Sequence, residues 1–182
     1  MHAALVFLDE SGFSLVSPLK RTWAPRGQTP RVRTSLSHWE RVSLLGAVQV
    51  TPDGQRVKLH THTYYKRNLT GLEVIAFLEQ LLREISGPIV LAWDNHPTHR
   101  RKLVQAFLAD HPRLHVYAFP RYAPELNPAE YIWTQLSEHT AGTAPHHTSE
   151  LRANVRAGVA KIRRSQRRLW ACIWASELPW KR

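Results

Sequence analysis

Ile89 to His99 reads I-V-L-A-W-D-N-H-P-T-H, and no other stretch constrains the chain so tightly. Ile89 to Trp93 is a continuous apolar run, too short for an ordinary helix, with Gly87 and Pro88 before it and Pro97 after it. That pattern predicts a strand buried on both faces, as in the middle of an open α/β sheet. The run ends on Asp94, which places a carboxylate at the carboxyl end of the strand, the edge where ligands collect in such sheets. Ala3 to Leu8 is a second compact apolar run and also ends on an acid, Asp9. A lone Asp after a strand is commonly a turn residue or a helix cap. Two buried strands that each end on Asp ask for a shared reason.

The remaining elements follow from periodicity and punctuation. Arg41 to Val50 and Gln55 to Thr63 read as a hairpin around Thr51-Pro52-Asp53-Gly54, where Pro presets φ and Gly accepts a positive one. In the second of these strands Val57, Leu59 and Thr61 alternate with Lys58, His60 and His62, which predicts one wet face and an exposed histidine pair. Thr70 to Glu84 is a helix. Thr70 and Glu73 form a capping box, and Val74, Phe77, Leu78, Leu81, Leu82 and Ile85 form the inward stripe. A second helix is expected from Pro97 to about Asp110, with Leu103, Phe107 and Leu108 inward, and a fifth strand from Leu114 to Phe119. Asn127 and Pro128 are a favoured N-cap and first residue for the next helix. Ala129, Ile132, Trp133 and Leu136 supply its buried stripe. Glu130 sits at the third helical position, where it could simply complete the cap. Thr148 is the expected cap of a last helix with Leu151, Val155, Val159 and Ile162 inward.

A chain of 182 residues suits a single domain, taken here as 1–182. Its formal charge of +11, from 25 Lys and Arg against 14 Asp and Glu, favours a polyanionic partner, most simply nucleic acid. Two regions concentrate that charge. Residues 14–41 form an excursion between strands in which Lys20, Arg21, Arg26, Arg31 and Arg33 alternate with Trp23 and Trp39. Arginine for phosphate and an aromatic ring for stacking is a nucleic-acid-contact composition. A solvated loop over one tucked tryptophan is the competing reading. Residues 148–182 form a basic helical segment that includes Arg163 and Arg164. The single cysteine, Cys172, allows no internal disulfide and no multi-cysteine zinc site, and it fits a reducing cytoplasm. No apolar stretch approaches membrane-spanning length, and Met1 leads almost directly into the first strand without a signal peptide.

Three carboxylates therefore stand at junctions: Asp9, Asp94 and Glu130. Brought together they would raise one another's pKa, and a divalent cation would remove that conflict. Hard oxygen ligands favour Mg²⁺ or Mn²⁺, and two ions ~3.5–4 Å apart can serve phosphodiester chemistry.

Four segments together resemble the DDE transposases of bacterial insertion sequences in the mariner-like superfamily. They are F-L-D-E-S-G-F (Phe7 to Phe13), T-W-A-P-R-G (Thr22 to Gly27), W-D-N-H-P-T-H (Trp93 to His99) and P-E-L-N-P-A-E-Y-I-W (Pro124 to Trp133). They occur in the right order, with thirty-five residues between Asp94 and Glu130. The resemblance implies an α/β, ribonuclease H-like fold with a mixed five-stranded sheet and flanking helices. In that fold the first three strands are antiparallel, the fourth and fifth are parallel to the first, and the first and fourth are neighbours. It implies Asp9, Asp94 and Glu130 as the catalytic, metal-binding triad for two Mg²⁺ or Mn²⁺ ions, with Asn95, His99 and Asn127 as supporting or substrate-positioning residues. It further implies DNA, both transposon ends and target, as the partner, and cleavage plus strand transfer as the reaction, in a bacterial cytoplasm at the nucleoid. The family's helix-turn-helix modules are expected to be absent here. A homodimer and a separate helix-turn-helix polypeptide are therefore candidate protein partners. The alternatives are a non-catalytic DNA-binding remnant and a nuclease or resolvase that cuts without joining.

Overall fold

A computed structural model describes residues 3–16, 23–28, 41–65, 69–141 and 143–180. Its centre is a five-stranded sheet of β1 (Ala4–Ser14), β2 (Arg41–Val50), β3 (Val57–Tyr65), β4 (Ile89–Trp93) and β5 (Leu114–Ala118), in the order β3-β2-β1-β4-β5. β1, β2 and β3 pair antiparallel, and β4 and β5 run parallel to β1. This is the mixed sheet that the resemblance implies.

Side-chain alternation along β1 builds two cores. Val6 and Leu8 face α1 (Gly71–Glu84) and α2 (Lys102–Ala109), with Phe77, Leu78 and Val104 opposite them. Phe7 faces the other way, toward the core formed with α3 (Pro128–Thr140), α4 (Thr148–Arg163) and α5 (Gln166–Ala175), where Ile132, Val155 and Leu169 are fully buried. Period two puts Asp9 on the α3 side, next in line after Phe7. Thr70 and Glu73 close the capping box at the start of α1.

Several expectations need correction. β1 does not stop at Leu8. It continues to Ser14 because β2 is long enough to pair with every residue from Leu5, so Asp9 lies within a strand, opposite Gly46. The second strand of the hairpin is shifted to Val57–Tyr65. His60 is buried rather than exposed, its Nδ1 2.6 Å from Glu84 Oε2 and its Nε2 2.8 Å from Gln49 Oε1, because α1 covers that part of the sheet. Only His62 of the pair is exposed. Residues 97–101 form turns, so α2 starts at Lys102 and buries Val104, while Leu103 is half exposed. The N-cap of α4 is His147, which accepts from the Glu150 N–H, and Thr148 is already helical. The basic end of the chain is two helices, broken at Ser165, whose side chain caps α5.

Candidate active site

Parallel pairing of β1 with β4 ends at Phe7 opposite Ala92. Asp9 and Asp94 each lie two residues beyond that last pair, so register alone brings them to the same level at the carboxyl edge. Glu130 arrives from α3. Asn127 sets its position by two bonds: its Oδ1 accepts from the Ala129 N–H at 3.1 Å, and its Nδ2 donates to Leu8 O at 3.3 Å. The first starts the helix and the second pins that start to β1. All three carboxylates line one cleft of about 430 Å³, together with Asn95, His96, Arg100, Arg121 and Tyr122. Asn127→Ala removes both a cap and the partner of a buried carbonyl. It is expected to cost about 1–3 kcal/mol in urea unfolding.

The electrostatics record the convergence. Burial pushes the Asp9 carboxyl up to about 7, and Glu130 and, more weakly, Asp94 add to the rise, against hydrogen bonds from Trp133 and the backbone. Glu130 is raised by partial burial and by the charge of Asp94. Partial burial would raise Asp94 too, but His99, the His96 N–H and the charges of both histidines hold it below the usual carboxylate range. Among the described residues no three His, Cys, Asp or Glu side chains already stand as a closed set of metal ligands. The donor chemistry nevertheless suits a hard cation: three oxygen donors stand in one cleft, and burial and mutual charge raise the pKa of two of them, Asp9 and Glu130.

Around the triad the structure separates supporting roles. His99 is buried, stacked on Trp93 with ring centroids 4.1 Å apart. Its Nδ1 is 3.1 Å from Asp94 Oδ1 and its Nε2 is 3.0 Å from Glu10 Oε1. Burial opposes charge on this ring, but the bonds to both carboxylates and the charge of Glu10 win, and its pKa is pushed up to about 9. Asn95 lines the cleft, and its Nδ2 donates to Phe119 O, tying the end of β4 to the residue that follows β5. Glu130 does not complete the α3 cap, because the Asn127 N–H is taken by Pro124 O.

Two residues escape the sequence reading. Trp133, assigned only to the core stripe, donates from Nε1 to Asp9 Oδ2 at 2.8 Å. Glu10, next to Asp9 in chain and on the opposite face of the strand, anchors His99. The only sequence signal for either is its place inside the matching segments. The basic residues differ in their surroundings. Lys20, Arg21, Arg31 and Arg33 lie outside the described residues. Arg26 is exposed, and Trp23 beside it is fully exposed rather than tucked under a loop, while Trp39 lies outside the described residues. Arg163 and Arg164 are both exposed, and Arg163 also donates to Leu59 O and Thr61 Oγ1.

Comparison with known proteins bears on the family and the fold. A family model described as DDE superfamily endonuclease matches residues 4–152. No curated protein matches the chain. Among solved structures, the Mos1 transposase paired-end complex with left transposon end is similar with a TM-score of 0.68 at 17% identity, covering 93% of this chain and 51% of that one. The Mos1 mariner paired end complex with Mn gives 0.62 at 16% identity, covering 100% and 58%. The catalytic domain of Mos1 mariner transposase gives 0.56 at 13% identity, covering 97% and 84%. At these identities the likeness shows the ribonuclease H-like fold, and the chain spans about half the length of the first two. The family match runs over most of the chain and includes Asp9, Asp94 and Glu130, and on that ground the chain belongs to the DDE superfamily endonucleases.

Proposed function

We propose that this chain is the catalytic domain of a DNA transposase, cutting transposon ends and joining them to target DNA in a cytoplasmic setting. The observation that carries the reading is the convergence of Asp9, Asp94 and Glu130 on one cleft, with each of Asp9 and Glu130 raised by a neighbouring acid. Asp9, Asp94 and Glu130 are the residues that would hold Mg²⁺ or Mn²⁺. A bound pair of such ions would lower the pKa of an attacking water or 3′-hydroxyl and stabilise the oxygen leaving phosphorus.

The chain's own residues prepare that chemistry. Trp133 fixes one oxygen of Asp9, and His99, itself held by Glu10, fixes one oxygen of Asp94. Preset carboxylates lose less freedom when a ligand binds. His99 stays charged through neutral pH and offsets part of the negative charge that the acids gather. Arg100 and Arg121 stand at the same cleft, where guanidinium groups can receive the phosphates flanking the cut. Arg26 and Arg164 extend a positive surface for the duplex, and Lys20, Arg21, Arg31 and Arg33 are assigned to the same task by composition. The described residues include no helix long and apolar enough to cross a membrane.

The test is Mn²⁺- or Mg²⁺-dependent nicking of supercoiled DNA, followed by joining of a 3′-OH oligonucleotide. Wild type should do both, and Asp94→Ala neither, while keeping salt-sensitive DNA binding. Binding without cleavage by the wild type would favour a non-catalytic remnant. Cutting without joining would favour a nuclease or resolvase.

A further inference from the structure

The loop from Phe119 to Pro124, F-P-R-Y-A-P, forms one wall of the catalytic cleft. Tyr122 sits in it with φ of 59°, the left-handed region that bulky side chains rarely adopt, and it is 99% exposed. A turn with positive φ ordinarily takes Gly or Asn. A tyrosine there carries backbone strain and shows its ring to water, and at that exposure burial within the chain repays neither cost. Strain of this kind collects at sites of function, where the surrounding structure fixes it.

Here the surroundings do fix it. The Phe119 N–H donates to Trp93 O at 2.8 Å, and Phe119 stacks on Phe7 at 6.3 Å. Asn95 Nδ2 holds Phe119 O. On the far side the Leu126 N–H donates to Ala123 O and the Asn127 N–H to Pro124 O. Pro120 and Pro124 stiffen the segment between these anchors. The Tyr122 ring is thus presented from a clamped loop with little freedom to lose. Two exposed guanidinium groups line the same cleft, Arg121 next in the chain and Arg100, whose Nη2 donates to Asn95 O at 3.1 Å.

A rigid exposed ring, two arginines and three carboxylates in one cleft are the parts of a nucleotide site. We propose that Tyr122 is a positioning residue that stacks on an unpaired base next to the scissile phosphate while Arg121 holds the neighbouring phosphate. This rests on the DNA-cleaving role proposed above. A ring at the rim of the cleft gives a base that leaves the duplex a surface to stack on. Stacking tolerates any base, so Tyr122 favours frayed or distorted DNA over intact duplex without reading sequence. The base has two sources, the cut end or the target strand, and both present the same ring face.

The test uses duplexes with 2-aminopurine either in the first unpaired position of a short 3′ overhang or inside intact duplex, with Ca²⁺ present to limit turnover. Stacking on Tyr122 should quench the overhang probe if the base comes from the cut end. Only an internal probe that is first exposed and then quenched would report target. In Mn²⁺-dependent nicking, Tyr122→Ala should lose about ten- to a hundredfold in kcat/KM, the scale of one aromatic–base stack. Tyr122→Phe should behave as wild type. Tyr122→Gly should lose the same activity and the same quenching, yet melt at a higher temperature than Tyr122→Ala because glycine accepts the positive φ. That opposition of stability and activity is one a purely structural tyrosine would not show. If wild type nicks DNA and the Ala and Gly variants nick and quench as well as it does, the stacking role is overturned and the nuclease reading stands. If wild type neither binds nor nicks DNA, the nuclease reading itself fails and takes this proposal with it.

Discussion

Asp9→Asn is expected to reduce metal-dependent DNA cleavage by about a thousandfold or more, and at the same time to make the protein more heat-resistant above neutral pH. The first effect follows from removing a charged oxygen donor from a three-carboxylate site. The second follows from linkage. Burial, then Glu130 and Asp94, raise the Asp9 carboxyl from 3.8 to about 7 in the folded chain. Below pH 3.8 the group is protonated whether the chain is folded or not, and its contribution is fully present. As pH rises toward 7 the unfolded chain releases the proton while the folded chain retains it, so stability falls across that window and levels off above it. At about 1.4 kcal/mol per pH unit the loss has a ceiling of about 4 kcal/mol. Asparagine carries no charge to desolvate and still offers an acceptor to Trp133 Nε1. Melting at pH 8 should therefore rise in Asp9→Asn by about 2–8 °C, and the gap should close near pH 4. Adding Mn²⁺ should raise the melting temperature of wild type but not of the variant. A variant that melts below wild type at pH 8 would contradict the raised Asp9 carboxyl, and one that still cleaves at a comparable rate would remove Asp9 from the metal-binding role.

The second large effect is expected at a residue with no chemistry of its own. Gly46 lies opposite Asp9 on β2, and the Trp133 ring passes directly over it. A methyl group at Gly46 would collide with Trp133 Cη2 and stand 2.9 Å from Cζ2, closer than carbon atoms pack. The ring must then lift, and its Nε1 carries the bond to Asp9 Oδ2. Gly46→Ala should cost about 1–3 kcal/mol through overpacking. It should also cost about a hundredfold in cleavage, since a shift near 1 Å in a reacting geometry has that effect. Pairing it with Trp133→Leu should relieve the clash without restoring activity. The two changes then add to less than their sum in stability, the mark of residues in contact. Cleavage by Gly46→Ala at the wild-type rate would mean that Trp133 does not set the Asp9 carboxylate.

These two residues also show where sequence reading stops. Asp9 is visible because an apolar run ends on an acid, and Gly46 is not, because a glycine within a strand has many causes. The α1 capping box and the Asn127–Pro128 helix start are local devices, made from residues three or fewer apart, and such contacts are written directly in the chain. His60 failed for the opposite reason. Its face was inferred from alternation within one strand, but whether that face meets water is decided by α1, whose Glu84 lies twenty-four residues away. Leu103, expected inward, is half exposed and its neighbour Val104 is buried instead, in a helix that the turns through residues 97–101 start at Lys102.

By itself the sequence determined the strands, most of the helices and the residue types that bind a hard cation, because hydrophobic period and capping act over a few residues. Only the tertiary structure decided that Asp9 and Asp94 stand level, that Asn127 brings Glu130 to them, and that Trp133, Glu10 and His99 hold their oxygens. Those facts depend on strand register and on contacts across as many as 124 residues. Such contacts join residues far apart in the chain, and no local pattern encodes them.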